Sequence, residues 1–219
     1  MKLVRFYFDP VSPYSWLASK DIRCIEATNG VVECVPVLFA GLLKAHGQKG
    51  PVEVPVKRVN TFRDVMRLAA EMGLRFTGPP GHPFNPLMAL RMSMAITDLA
   101  ERRRFTVEML AACWERGLDV SSSEVLIVLA NECGLDGEAL AQAAVTPEIK
   151  QALTATTAHA VEAGMFGVPT FEFEGDYFWG ADRIDSLLWR MAGNRIDEAA
   201  LREFLDRPAL AQRRAEQLG

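Results

Sequence analysis

The chain has 219 residues, of which 49% are hydrophobic and 24% charged, with a formal net charge of −4 at neutral pH. That length suits one domain, or one domain carrying a large insertion, and the apolar share is ample for its core. The acidic balance and the lack of a basic stripe argue against nucleic acid as a partner, and no apolar run has the length of a membrane span or a signal-peptide core.

The first element reads as a strand, because Phe6 and Phe8 alternate with Arg5 and Tyr7 at a period of two. The run Asp9-Pro10-Val11-Ser12-Pro13-Tyr14 then turns the chain into a helix. Pro13 has no N–H to lose in a first helical turn, and its φ is preset for one. Ser12 therefore stands just ahead of the helix, where unpaired N–H groups and the positive end of the dipole favour an anion. A serine there is equally at home as a plain N-cap. A turn at Gly30 leads to a second strand from Val31 to Val35.

From Gly41 to Gly164 nearly everything reads as helix, broken by proline and glycine. A helix from Pro55 to Gly73 places Val56, Val59, Phe62, Met66 and Ala69 on one face. The stretch from Phe76 to Phe84 is too rich in proline and glycine for a helix and is a loop. Asn85-Pro86 opens another helix as N-cap and first-turn proline. Further starts fall at Thr106, at Ser121 to Ser123 ahead of Glu124, and at Thr146-Pro147-Glu148.

Late in the chain, Phe166-Gly167-Val168-Pro169-Thr170 delivers the backbone into a strand, and Glu174-Gly175-Asp176 turns it into Tyr177-Phe178-Trp179 as a hairpin. Sequence leaves the isomer of the Val168–Pro169 bond open. A cis bond would turn the Val168 amide outward, where an extended peptide could pair with it. Gly180-Ala181-Asp182-Arg183 follows, with Asp182 expected as N-cap of a helix carrying Leu187 and Leu188. The arginine-rich, proline-interrupted last fifteen or so residues read as a short helix or a frayed tail.

Cys24, Cys34, Cys113 and Cys133 include no C-x-x-C pair, which excludes a dithiol oxidoreductase. All four are expected as buried, inert thiols, with Cys24 one heptad beyond Leu17 on the first helix. His46, His82 and His159 are scattered without ligand spacing, so no metal site is expected.

Three motifs carry a resemblance: Tyr7-Phe8-Asp9-Pro10-Val11-Ser12-Pro13, Phe166-Gly167-Val168-Pro169-Thr170 and Trp179-Gly180-Ala181-Asp182-Arg183. In this order and at these separations they resemble the family of kappa-class glutathione transferases and 2-hydroxychromene-2-carboxylate isomerases, within the DsbA-like thioredoxin superfamily. The resemblance runs along nearly the whole chain. It implies an α/β fold, a thioredoxin-like domain with a large all-helical insertion. Residues 1–40 and 165–219 would form the thioredoxin-like domain, and 41–164 the insertion, folded over the start of the first helix. It also implies glutathione as cofactor, a cytoplasmic location and a homodimer.

Where redox members of the superfamily keep a reactive cysteine, this chain has Ser12, so the thiol would be brought in by glutathione. Val168, Trp179, Gly180, Ala181, Asp182 and Arg183 match positions that contact glutathione, with Asp182 facing its ammonium group. Gln48, Lys57 and Asn85 match positions offering polar groups to a carboxylated substrate or to glutathione, although Gln48 departs from the asparagine of the family pattern.

A free cysteine thiol ionises near pH 8.5. Lowering that by about two units takes roughly 2.7 kcal/mol of preference for the thiolate. One charge-assisted hydrogen bond is worth about 1.5–3 kcal/mol, so the Ser12 hydroxyl plus a helix dipole suffices. The implied activity is isomerisation of an aromatic-degradation intermediate, of the 2-hydroxychromene-2-carboxylate to trans-o-hydroxybenzylidenepyruvate type. The thiolate would add reversibly to the substrate. Two alternatives stay open: a kappa-type transferase conjugating glutathione to electrophiles, and a non-enzymatic thioredoxin-like binding module.

Overall fold

The computed structural model describes residues 1–211. Strand β1 (Lys2–Phe8) leads into α1 (Pro13–Lys20); after a break at Asp21, the short α2 (Ile22–Glu26) returns the chain to β2 (Gly30–Pro36). The helices α3 (Phe39–Ala45), α4 (Pro55–Glu71), α5 (Leu87–Ala95), α6 (Leu99–Trp114), α7 (Ser123–Glu132), α8 (Gly137–Ala144) and α9 (Pro147–Glu162) follow. The hairpin β3 (Thr170–Phe173) and β4 (Asp176–Trp179) then completes the sheet, ahead of α10 (Ile184–Met191) and α11 (Glu198–Leu205).

The sheet runs β2-β1-β3-β4, parallel between β1 and β2 and antiparallel elsewhere. Its register is marked at two positions of β1. Arg5 lies opposite both Glu33 and Glu172 and bonds each, at 3.2 and 2.7 Å. Phe6 lies opposite Phe171, with ring centroids 4.9 Å apart. A one-residue slip would carry Arg5 to the aromatic face, so charge and packing select the same alignment.

Both faces of the sheet are covered. On one, Val4, Phe6, Phe8, Cys34 and Phe171 join Trp16, Leu17, Met109 and Trp114 in the main core. On the other, Tyr7 and Val35 pack with Val37, Leu42, Ala160, Met165 and Val168. Truncating a fully buried ring such as Phe6 would cost about 3–5 kcal/mol.

Several helix starts fall where expected. Ser122 and Thr146 cap α7 and α9, accepting the N–H groups of Val125 and Ile149 at 3.3 and 3.4 Å. The start of α5 is one place later than expected: Pro86 is its N-cap rather than its first-turn residue, and Asn85, outside the helix, accepts the Leu87 N–H at 3.1 Å.

Other expectations are corrected. Thr106 does not start a helix: α6 begins at Leu99, capped by Asp98 through the Ala100 and Glu101 N–H groups, and Thr106 is buried inside it, 3.1 Å from the Ser93 hydroxyl. On α4, Ala69 is buried and Phe62 half-buried as expected, but Val56, Val59 and Met66 are exposed. That helix carries two apolar stripes, and packing against α1 selects the one through Thr61, Val65 and Ala69. Cys24 is exposed because the break at Asp21 places it on α2 rather than α1. Burial pushes the Cys34 thiol up to about 12, and raises those of Cys113 and Cys133 as well. Asp182 lies in a 3₁₀ turn, Ala181–Arg183, and does not cap α10.

No residue of α11 is buried, and the tail beyond 211 lies outside the described residues. Among the described residues no helix is long and apolar enough to cross a membrane, and no group of three or more His, Cys, Asp and Glu side chains is placed to hold a metal ion.

Candidate active site

Ser12 is the N-cap of α1, with extended backbone at φ −92° and ψ 115°. Its Oγ accepts the Ser15 N–H at 3.3 Å, and its own proton reaches the Val168 carbonyl at 3.4 Å. The second bond is at the long limit for a hydroxyl. A hydroxyl that accepts from a helix N–H has its proton polarised, and here that proton is weakly held and can be redirected. No acidic residue occupies the first turn of α1, so the positive end of its dipole is not offset from within the helix.

The late segment meets Ser12 through Val168, which precedes Pro169 in a cis peptide bond. The Val168 N–H has no hydrogen-bond partner among the described residues. The Pro169 carbonyl accepts the Gly180 N–H at 3.0 Å, which draws the end of the hairpin alongside. Gly180 sits at φ +119°, and a Cβ there would come within 2.5 Å of the Asp182 carboxylate, so glycine is required. Gly167 is similarly tight: a Cβ would lie 2.6 Å from the Trp179 indole nitrogen. Phe166 and Trp179 are both exposed and meet edge to face, centroids 4.7 Å apart.

The loop ahead of Ser12 is held from several sides. The Asp9 carboxylate accepts the N–H groups of Val11 and Phe39, each at 2.9 Å. Complete burial pushes its pKa up to about 7, against the pull of those two bonds. The Trp114 indole donates to the Pro10 carbonyl at 3.0 Å, and the His82 Nε2 lies 2.8 Å from the Val11 carbonyl. His82 is flanked by Phe62, Phe84 and Trp114, and burial lowers its pKa, so it is neutral at pH 7. Arg58 donates to the His82 carbonyl at 3.0 Å, its guanidinium 5.2 Å from the centre of the Phe62 ring. Tyr14 ties α1 to α4 by donating to Asp64 at 2.8 Å.

Of the residues singled out from sequence, Ser12, Val168, Trp179, Gly180 and Ala181 are brought together, because the 3₁₀ turn packs against α1. Asp182 and Arg183 are exposed on that turn and pair with each other at 3.0 Å. Gln48 is exposed in the loop after α3, which His46 ties to the Met165 carbonyl at 2.9 Å. Lys57 points outward in the first turn of α4, and it is the neighbouring Arg58 that reaches the aromatic cluster. Asn85 is exposed and occupied with the Leu87 N–H.

Sequence reading passed over His82, Trp114 and Ser15. Among the described residues, the Ser15 Oγ is buried without a partner, as is the His82 Nδ1. A signal existed for Ser15, since Ser12-x-x-Ser15 has the spacing of the absent C-x-x-C pair. For His82 the only hint was a proline-rich loop that also carries Phe76 and Phe84.

Comparison with known proteins agrees with this fold. The DSBA-like thioredoxin domain matches residues 3–192. The 2-hydroxychromene-2-carboxylate isomerase of Sphingobium xenophagum is 29% identical over 189 residues, spanning 85% of this chain and 96% of the relative. The human glutathione S-transferase kappa 1 is 25% identical over 203 residues, spanning 85% and 89%. A solved 2-hydroxychromene-2-carboxylate isomerase superposes with a TM-score of 0.80 at 21% identity, covering 93% of this chain and 98% of that one. The thioredoxin-like fold with its many helices is therefore shared.

Proposed function

The chain belongs to the DSBA-like thioredoxin domain family, and from that membership we propose a glutathione-dependent isomerase acting on an electrophilic aromatic carboxylate. The reaction type is 2-hydroxychromene-2-carboxylate to trans-o-hydroxybenzylidenepyruvate, supported by similarity to such an isomerase over 96% of its length. The observation that carries the reading is the Ser12 hydroxyl, anchored by the Ser15 N–H and holding its own proton only on a long bond beside the unpaired Val168 N–H.

Val168, Trp179, Gly180, Ala181, Asp182 and Arg183 would hold glutathione, the first through its backbone and Asp182 through a carboxylate suited to an ammonium group. Bound there, glutathione supplies a thiolate that adds reversibly to an electrophilic carbon, so that a double bond becomes single, rotates and reforms. Ser12 turns its proton from the Val168 carbonyl to the anion, and the start of α1 adds its dipole. Arg58 is placed to meet the substrate carboxylate beside Phe62, with Lys57, Gln48 and Asn85 as outer polar groups.

The similarity to a kappa-class transferase supports a second reading, conjugation of glutathione to electrophiles at the same site. Product analysis separates the two. An isomer formed with glutathione regenerated supports the first, and an accumulating thioether supports the second. A protein with no affinity for glutathione would be a binding module instead. We take the protein as a homodimer, and α11, with Leu201, Phe204 and Leu205 exposed, is a face suited to that contact. A Phe204→Glu protein should then sediment as a monomer, and an unchanged dimer would move the contact elsewhere.

Ser12→Ala tests the site itself. The variant should fold, losing about 1 kcal/mol with its cap, and should no longer ionise bound glutathione. If it ionises glutathione as well as the parent does, Ser12 is only a cap.

A further inference from the structure

All four carbonyls of the loop that presents Ser12 are engaged. The Asp9 carbonyl accepts the Ser12 N–H and the Ser12 carbonyl accepts the Ser15 N–H, both at 3.0 Å. The two between them cannot be served locally. Pro10 takes the Trp114 indole N–H from α6, and Val11 takes the His82 ring from the loop between α4 and α5. These donors arrive from 104 and 71 residues away, and their rings meet with centroids 5.5 Å apart, as one unit.

Such an arrangement has an electrostatic consequence for an anion beside Ser12. A carbonyl oxygen carries partial negative charge, and one left unpaired near a thiolate favours the thiol form. Pairing it with a donor offsets that charge, and it fixes the peptide planes on either side of Val11. We infer that His82 and Trp114 are positioning residues that, by holding the Val11 and Pro10 carbonyls, lower the pKa of a thiol bound against Ser12. The inference rests on the reading of Ser12 as a thiolate site.

The tautomer follows from the same geometry. A carbonyl only accepts, so His82 presents Nε2–H to Val11 and leaves its lone pair on Nδ1. The Nδ1 atom is buried without a partner among the described residues, with the rings of Phe62, Phe84 and Trp114 around the imidazole. Protonating it would bury an N–H with no acceptor, near the Arg58 charge. The imidazole is thus held neutral as a fixed donor rather than as a base.

The test compares His82→Phe, which keeps a ring and loses the donor, with Trp114→Phe and with His82→Gln, whose amide can donate in place of Nε2. Glutathione is titrated into each, with its ultraviolet thiolate band followed against pH and its affinity by calorimetry. His82→Phe should bind glutathione but raise the bound-thiol pKa by about one unit, a tenfold change in the thiol-to-thiolate ratio. Trp114→Phe should shift it in the same direction, and His82→Gln should restore most of the loss.

A parent protein that ionises glutathione, with a folded His82→Phe that ionises it equally, overturns this inference alone. A parent that leaves glutathione un-ionised overturns the Ser12 reading and this inference with it. Should His82→Phe fail to fold, Trp114→Phe carries the same comparison, and nitrogen NMR of the unliganded parent adds a check independent of glutathione. The ring of His82 should be neutral and Nε2-protonated at neutral pH, whereas a cationic or Nδ1-protonated ring there would contradict the inference.

Discussion

The two sides of the site are built differently. On the sheet side, Ser12 and Val168 are each only 7% exposed, and the loop around Ser12 has every carbonyl paired. On the helical side, Phe62, Phe76, Phe84 and His82 are half-buried, and α4 leaves Val56, Val59 and Met66 exposed nearby. A rigid side suits a step that needs one sulfur held in one place. A side of half-buried rings with a cation suits the choice of an aromatic carboxylate. On the proposed function, activation and selection of substrate would fall to different parts of the chain.

The largest effect expected from this division is on the sheet side. Ser12→Ala should lower kcat at neutral pH by about twentyfold, the loss of thiolate that follows when a thiol pKa rises about two units to its free value, with little change in KM for the carboxylated substrate. Arg58→Ala should do the opposite, raising that KM by about tenfold or more through loss of a charge-assisted contact, while bound glutathione ionises as before. If both variants changed the same kinetic constant, the two sides would not be separate.

Much of the sheet side was legible in the sequence, because its signals are local. Pro13 after Ser12 marks a helix start, and Val168-Pro169-Thr170 ahead of a β-branched, aromatic run marks a strand entry. The helical side was read less well for the complementary reason. Val56, Val59 and Met66 are as apolar as Phe62 and Val65, and only packing against α1 decides which stripe is covered. Lys57 was singled out by its match to a family position, whereas Arg58, one place along, is the residue that turns inward to His82. His82 itself makes its ring hydrogen bond to a residue 71 positions away, which no periodicity reports. Asp182 looked like a helix cap because aspartate often is one, but the chain takes a 3₁₀ turn there first.

A smaller effect should follow Gly180→Ala. At φ +119° any side chain strains the backbone, and the exposed Asp182 carboxylate, 2.5 Å from the new Cβ, must swing aside. A stability loss of about 1–3 kcal/mol is expected from backbone strain alone, measured by denaturant unfolding, with weaker glutathione binding beside it. Unchanged glutathione affinity would detach that turn from the site.

Asp9 gives a pH-dependent prediction. Its pKa is raised by burial to about 7 in the folded protein, above the usual carboxylate value, so the folded state binds the proton more tightly than the unfolded one. The contribution of Asp9 to stability is then full at low pH and declines as pH rises towards 7, with no further change above it. Unfolding curves of Asp9→Asn should lack that decline. A parallel pH dependence in parent and variant would mean that Asp9 ionises at its ordinary value. Smallest of all should be Lys57→Ala: an exposed side chain, a stability change within about 0.5 kcal/mol, and less effect on KM than Arg58→Ala.

The most direct measurement is a calorimetric titration of the protein with glutathione, followed in parallel by the ultraviolet absorbance of the thiolate near neutral pH. Saturable binding with an ionised sulfur, lost in Ser12→Ala while the fold persists, is the expected result. Glutathione that fails to bind, or that binds with its thiol protonated in the parent protein, would contradict the assignment of Ser12.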